Sequence, residues 1–289
     1  MPNAVEPISA SVARLADAYA LLGEDGPAWR PIAGGTDVMV QIAGEIGEPP
    51  ERLLDLWALD ELRGIRADDE ALTIGALTTY TELRRSPAVA RTIPVLAEVA
   101  ATIGAAQIQN RGTIGGNVMN ASPAGDTLPV LLALDAELVL GSSRGERQVP
   151  ARDFWPSYRT TAARPDELLV RIRIPLHGDR EVRFRKVGTR RAQAISKVVM
   201  ALSWRADGTS APWRDVHVAL GSMAATPVRV PRTEAALEGA PPTRETADAA
   251  AAALLDEVSP IDDVRSTAEY RRAVAARVLH RLIRDAGGW

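Results

Sequence analysis

Two short stretches of this 289-residue chain concentrate residue types that hold anions through the main chain. The first is RPIAGGTDVMV, where Gly34-Gly35 is followed by Thr36 and Asp37; the second is NRGTIGGNVMNASPAGD, with Thr113, Gly115-Gly116 and Asn117. Glycine tolerates positive φ and lacks a Cβ, so successive N–H groups can point into one concavity and take phosphate oxygens without a lysine. Thr36, Thr113 and Asn117 add side-chain donors at the loop edges. Either pair alone reads more simply as a turn. Two similar loops, each after an apolar element, fit a pair of turns and a shared pyrophosphate clamp equally well, and spacing does not decide between them.

Other chemistry is thinly represented. There is no G-x-G-x-x-G after a strand, no G-x-x-x-x-G-K-[ST] and no G-x-S-x-G, so dinucleotide-fold, P-loop and serine-hydrolase sites are not indicated. His177, His217 and His280 are the only histidines and lie far apart, so no metal site is expected. The chain has no cysteine, which excludes disulfides, cysteine nucleophiles and thiolate ligation of iron–sulfur clusters. That usage fits a reducing cytoplasm. Asp126 is placed to cap a following helix or to accept from a ligand hydroxyl or ring N–H. Lys186, among many cations in RFRKVGTRR, reads by itself as a solvated side chain.

The elements that must position these residues follow from composition and pattern. The chain is 46% hydrophobic and 25% charged, with net charge −3, ordinary for a globular protein and unsuited to a polyanion. Arginine clusters at 183–191 and 271–284 read as solvated faces or subunit contacts rather than nucleic-acid footprints. No secretory signal or membrane span is expected. SVARLADAYALLGEDG, with Val12, Leu15, Tyr19 and Leu22 at helical spacing, predicts a helix capped by Ser11 and stopped at Gly26. Strands are expected at WRPI, RLLDL, ALTIGAL, AELVL and ELLVRIRIP. Helices are expected at TYTELRRS (capped by Thr78 or Thr79), at IPVLAEVAATIG and at TLPVLLAL. Composition shifts at IPLHGDR (174–180). Beyond it VRFRKV, KVVMALSW and DVHVALGSM are strand-like, and three helices close the chain. An α+β protein with a domain boundary near residue 176 is expected.

Five motifs, PIAGGTDVMV, TIGGNVMNASPAGD, ELLVRIRIP, FRKVGTRRAQAISKV and DVRSTAEYRR, occur in that order. Together they resemble the FAD-binding medium subunit of molybdenum hydroxylases, the family of xanthine dehydrogenase and carbon monoxide dehydrogenase flavoproteins. The resemblance spans nearly the whole chain. It implies a two-subdomain FAD-binding domain of the p-cresol methylhydroxylase/vanillyl-alcohol oxidase type over residues 1–176, with subdomains of about 1–57 and 58–176. A C-terminal domain over 177–289, with a small antiparallel sheet and a three-helix bundle, completes it. By motif matching, Pro31, Ile32, Ala33, Gly34, Gly35, Thr36, Asp37 and Val38 wrap the FAD pyrophosphate from one side. Thr113, Ile114, Gly115, Gly116 and Asn117 close it from the other. The match also places Ile103, Asp126, Leu169, Lys186 and Ile195 at the cofactor. It names no catalytic acid or base and no metal ligand.

The resemblance further implies partners: a large molybdopterin-binding subunit and a small [2Fe–2S] subunit, in a dimer of heterotrimers. The flavin would take electrons from a cluster and pass them to NAD⁺, a quinone or oxygen. The carbon monoxide dehydrogenase type carries histidine-serine where this chain has Thr36-Asp37, and the second loop ends in Asn117. Both lean toward the xanthine dehydrogenase-like branch. An acidic residue frequent before the IAKV match is replaced by Gln193-Ala194. A self-contained FAD-dependent reductase and a non-catalytic nucleotide-binding assembly module remain open as alternatives.

Overall fold

The structure, a computed structural model, describes residues 6–25, 28–43, 48–190 and 193–289. Gly26, the expected stop of the first helix, lies outside them. The chain opens with β1 (Ile8–Ser11), α1 (Leu15–Asp25), β2 (Arg30–Ile32), α2 (Val38–Ile42) and β3 (Arg52–Asp55). The strands form a parallel sheet ordered β1-β3-β2. Ser11 is therefore not a helix cap. It pairs with Asp55 in the sheet, its hydroxyl donates to Asp55 Oδ2 at 3.4 Å, and the helix starts only at Leu15. Pairing with β3 outweighs the helical spacing that begins at Val12.

A second lobe follows with β4 (Ile65–Ala67), β5 (Ala71–Gly75), α3 (Tyr80–Arg85), α4 (Pro87–Thr92), α5 (Val95–Thr102), α6 (Ala106–Arg111), α7 (Ile114–Asn120) and α8 (Thr127–Ala133). It continues with β6 (Glu137–Ser142), β7 (Gly145–Pro150), α9 (Ala151–Phe154) and β8 (Leu168–Pro175). Its antiparallel sheet is ordered β4-β5-β8-β6-β7. Strand β8 serves two cores. Leu168 and Val170 pack with Leu22 and Leu54 of the first lobe, whereas Ile172 and Ile174, of the same parity, pack under the helices of the second. A register shift against β6 at Val139/Leu140 reverses the faces, as a bulge does. Helix α3 begins with a reciprocal capping box: Thr79 N–H donates to Glu82 Oε2 at 2.6 Å, and Glu82 N–H donates to Thr79 Oγ1 at 3.2 Å. Thr79→Ala is expected to cost about 1 kcal/mol, measured by urea unfolding.

The chain closes with β9 (Arg180–Val187), β10 (Val198–Arg205), β11 (Arg214–Gly221), β12 (Val228–Arg229), α10 (Pro231–Leu237), α11 (Arg244–Glu257) and α12 (Ala268–Gly287). The antiparallel sheet runs β12-β11-β10-β9. One face, with Met200, Leu202, Val218 and Leu220, packs on the three helices. The other presents Ala201 and Ala219 to the core of the second lobe. Small residues there let α8 lie close, and Ser203 Oγ donates to Ala133 O at 2.7 Å across the contact. Among the described residues no helix is long and apolar enough to cross a membrane.

Candidate functional site

A cavity of about 490 Å³ lies where the first two lobes meet, and side chains from the third part of the chain complete its wall. Of the residues nominated from sequence, Pro31, Ala33, Gly34, Gly35, Thr36, Asp37, Val38, Ile103, Thr113, Gly115, Gly116, Asn117, Asp126, Leu169, Lys186 and Ile195 line it. Ile32 and Ile114 do not line it. Ile114 is fully buried in the core of the second lobe, because the first turn of α7 turns that side chain inward. Ile32 ends strand β2, and its Cδ1 lies 3.4 Å from where a Cβ on Gly35 would stand.

The two glycine stretches do different things. In the first, Gly35 has φ +78°, and the N–H groups of Gly34, Gly35, Thr36, Asp37 and Val38 have no acceptor among the described residues. Met39 is the next to be bonded, to Gly35 O at 2.8 Å. This is an open nest of the kind that binds phosphate oxygens. The second stretch is not a loop but the start of α7, and its donors are already used. Ile114 N–H donates to Thr78 O at 3.0 Å, Gly115 N–H to Ala76 O at 2.9 Å and Asn117 N–H to Thr113 O at 3.1 Å. Gly116 N–H donates to Thr113 Oγ1 at 3.0 Å, an N-cap bond. Of the two readings left open, a clamp of two matching nests is not formed: protein groups satisfy these donors at the start of the helix, and the lack of a side chain on Gly115 lets α7 lie close against Ala76 instead. A Cβ on Gly115 would lie 2.5 Å from Ala76 O, and one on Gly34 would lie 1.8 Å from Arg111 O.

Charge for an anion comes from residues the sequence reading missed. Arg30 and Arg159 line the cavity, and Arg159 Nη1 donates to Asn120 Oδ1, which neighbours the Asn120 Nδ2 bond to Asp37 Oδ1; both bonds are 3.1 Å. Arg159 sits in irregular chain with no pattern to mark it. Tyr80, buried at the cavity wall, holds Thr127 Oγ1 at 3.3 Å, and burial raises its phenol well above the usual value. It is the first residue of α3 and reads from sequence only as core. The Asn117 amide oxygen is buried without a partner among the described residues, so a ligand hydroxyl or ring N–H would satisfy it.

At the other side of the cavity a buried ion pair joins the last sheet to the second lobe. Lys186 Nζ donates to Asp126 Oδ2 at 2.5 Å and to Thr102 O at 3.1 Å. Ser196 Oγ donates to Asp126 Oδ1. Asp126 does occupy the N-cap position of α8, but its side chain makes no cap bond; the carboxylate is drawn to Lys186 instead. Lys186 is correspondingly not solvated: its side chain is 11% exposed. Burial raises the Asp126 carboxyl above the ordinary aspartate range, opposed by Lys186 and Ser196. Ile195 beside it is 58% exposed yet lines the cavity, an apolar surface offered to a flat ligand.

Open N–H donors with two arginines at one side, an unsatisfied amide, and apolar wall with a lysine at the other suit a ligand with a phosphate linkage and a polar ring. Residues 6–177 match the FAD binding domain in molybdopterin dehydrogenase, and residues 183–286 match the CO dehydrogenase flavoprotein C-terminal domain. The carbon monoxide dehydrogenase medium chain of Hydrogenophaga pseudoflava is 34% identical, with 93% of each chain covered. The xanthine dehydrogenase FAD-binding subunit of Escherichia coli O157:H7 is 32% identical, with 96% of each covered. A solved structure of reconstituted CO dehydrogenase from Oligotropha carboxidovorans superposes with a TM-score of 0.92 at 30% identity, over 98% of each chain.

Proposed function

The chain belongs to the FAD-binding medium subunits of the molybdenum hydroxylases, oxidoreductase subunits of multi-subunit complexes, and on that premise we propose how its FAD site is used. The chain receives electrons from [2Fe–2S] clusters on a small partner subunit, which a large molybdopterin-binding subunit supplies. It passes them to NAD⁺, a quinone or oxygen, within a dimer of heterotrimers of the xanthine dehydrogenase-like branch. Thr36, Asp37 and Asn117 are the residues that favour that branch. In this reading residues 1–176 form the FAD-binding domain, as subdomains of about 1–57 and 58–176, and residues 177–289 the C-terminal domain.

Bound FAD supplies the exchange between one-electron donors and two-electron acceptors, and the protein supplies position and electrostatics. Gly34 to Val38 offer N–H groups to the pyrophosphate, with Arg30 and Arg159 balancing its charge. Gly115 lets α7 lie against Ala76 at the cavity wall, and Asn117 and Asp126 take ligand donors. Lys186, its charge balanced by Asp126, places an oriented ion pair at the wall it shares with Ile195, Leu169 and Ile103. The observation that carries the reading is this cavity, joined to a chain with no cysteine to hold a cluster. Among the described residues of its walls there is no nucleophile–base pair for a substrate of the chain's own.

The test is flavin bleaching under anaerobic conditions. The isolated chain should be yellow and should be reduced when the chemically reduced iron–sulfur subunit is added. Reduction by NADPH with turnover of a substrate by the isolated chain would overturn the proposal and indicate a self-contained reductase. A chain that never binds flavin would indicate an assembly module.

A further inference from the structure

Arg183 and Arg185 of the first arginine cluster and Arg277 and Arg281 of the second meet along one edge of the last sheet. Strand β9 is the edge strand there and pairs only with β10 among the described residues. A second hollow, of about 390 Å³, touches Val182, Arg183, Phe184 and Arg185 in succession, then Val187. Successive strand residues point to opposite faces, so a hollow that touches four in a row runs along the strand's open edge. Its far wall is α12, which contributes Val274, Val278 and Leu282 as an apolar floor and Arg277 and Arg281 as a rim.

The charges are unbalanced. Four guanidinium groups face two carboxylates, Glu98 and Asp285. Arg281 reaches Asp285 at 3.4 Å, but the guanidinium groups of Arg183, Arg185 and Arg277 have no ion pair, hydrogen bond or ring contact among the described residues. Elsewhere on the surface arginines are commonly paired, as Arg205 is with Asp179 at 2.7 Å and Arg214 with Asp207 at 2.9 Å. Charged side chains on an edge strand discourage copies from pairing edge to edge. That accounts for the arginines but not for an apolar floor beside them.

The geometry points to a docking groove for an extended acidic segment of a partner subunit. Such a segment adds a strand to β9 through main-chain hydrogen bonds. Its carboxylates meet Arg183, Arg185 and Arg277, and its apolar residues lie on Val187, Val274 and Val278. The inference rests on the chain's place in a multi-subunit complex and is independent of which acceptor takes the electrons.

The test uses the chain co-expressed with its own large and iron–sulfur subunits. For the double variant Arg183→Glu/Arg185→Glu, native mass spectrometry should show at least ~10-fold weaker association, while each chain keeps its FAD. Wild-type association should weaken as salt rises. Arg277→Glu, on the helix rather than the strand, should weaken it several-fold and so guards against a misfolded β9. A photoreactive phenylalanine analogue in place of Arg277 should crosslink to an acidic stretch of a partner subunit. Undiminished assembly in both charge-reversal variants, or crosslinks only to a second copy of this chain, would overturn the inference.

Discussion

Gly34→Ala is expected to leave the chain folded but with an FAD affinity at least ~100-fold below wild type. A Cβ at position 34 would stand 1.8 Å from Arg111 O and 2.5 Å from Arg111 C. Both are main-chain atoms that no side-chain rotation can clear. The loop must lift away from the turn before α7, and the unpaired N–H groups of Gly34 to Val38 move with it. Two charge-assisted hydrogen bonds lost at about 1.5–3 kcal/mol each account for that factor. Gly35→Ala should be milder: the nearest atom to its Cβ is Ile32 Cδ1 at 3.4 Å, so the cost is holding alanine at φ +78°, about 1–2 kcal/mol. Gly116→Ala should be mildest, since it meets only Thr113 Oγ1 at 3.0 Å. Flavin-fluorescence titration of the three variants measures the order, with urea midpoints as the folding control. Binding by Gly34→Ala within a few-fold of wild type would refute this account of the loop.

The second large effect concerns the strut between the last sheet and the second lobe. Lys186→Met should destabilise the chain by about 3–5 kcal/mol, because the buried Asp126 carboxylate is left uncompensated. Lys186→Met/Asp126→Leu should recover most of that loss, since an apolar pair in the same space carries no desolvation cost. Urea unfolding of these two variants and of Asp126→Leu closes the cycle. The pH dependence has a definite sign. The folded-state value of Asp126 is raised, so its contribution to stability is fully present below the unfolded value and is lost as pH rises through the folded one. Wild type should lose stability over that window, above the ordinary aspartate range. Lys186→Met should extend the loss toward neutral pH, and Asp126→Asn should abolish it. A double variant as unstable as Lys186→Met would show that the pair is not the source.

Much of this was legible in the residues because local pattern and tertiary use agree. RLLDL, ALTIGAL and KVVMALSW are strands where their β-branched and leucine runs say so, and the three closing helices lie where expected. The failures have specific causes. Ser11 was claimed by a strand partner far along the chain, at Asp55. Gly115 and Gly116 look like a turn because glycine is a poor helix former, yet Thr113 starts a helix through them and Ala76 leaves no space for a side chain. Asp126 and Lys186 each have an adequate local explanation, cap and solvated cation. Only the fold brings them to 2.5 Å. Arg159 and Tyr80 carry no local signal, since their roles depend on which wall they reach. The nest on Gly34 to Val38 was readable as a possibility, while the spent donors of α7 were not. Hydrogen-bond accounting of that kind needs the partners, Thr78 and Ala76, in place.

Lys186 and Ile195 have a consequence for how the protein is made. Chains emerge from the ribosome N-terminus first, and domains generally fold in that order. The segments carrying the glycine stretches are therefore made while one side of the chamber still lacks its wall. That wall arrives with β9 and the segment after it, held by Arg271 of α12, whose Nη1 reaches Lys197 O at 3.0 Å and Ser222 O at 2.8 Å. A residue synthesised after the panel itself thus fastens it. Without that panel the chamber is open on one side, so holding a ligand there depends on the closing helix as well as on the glycines that greet the pyrophosphate.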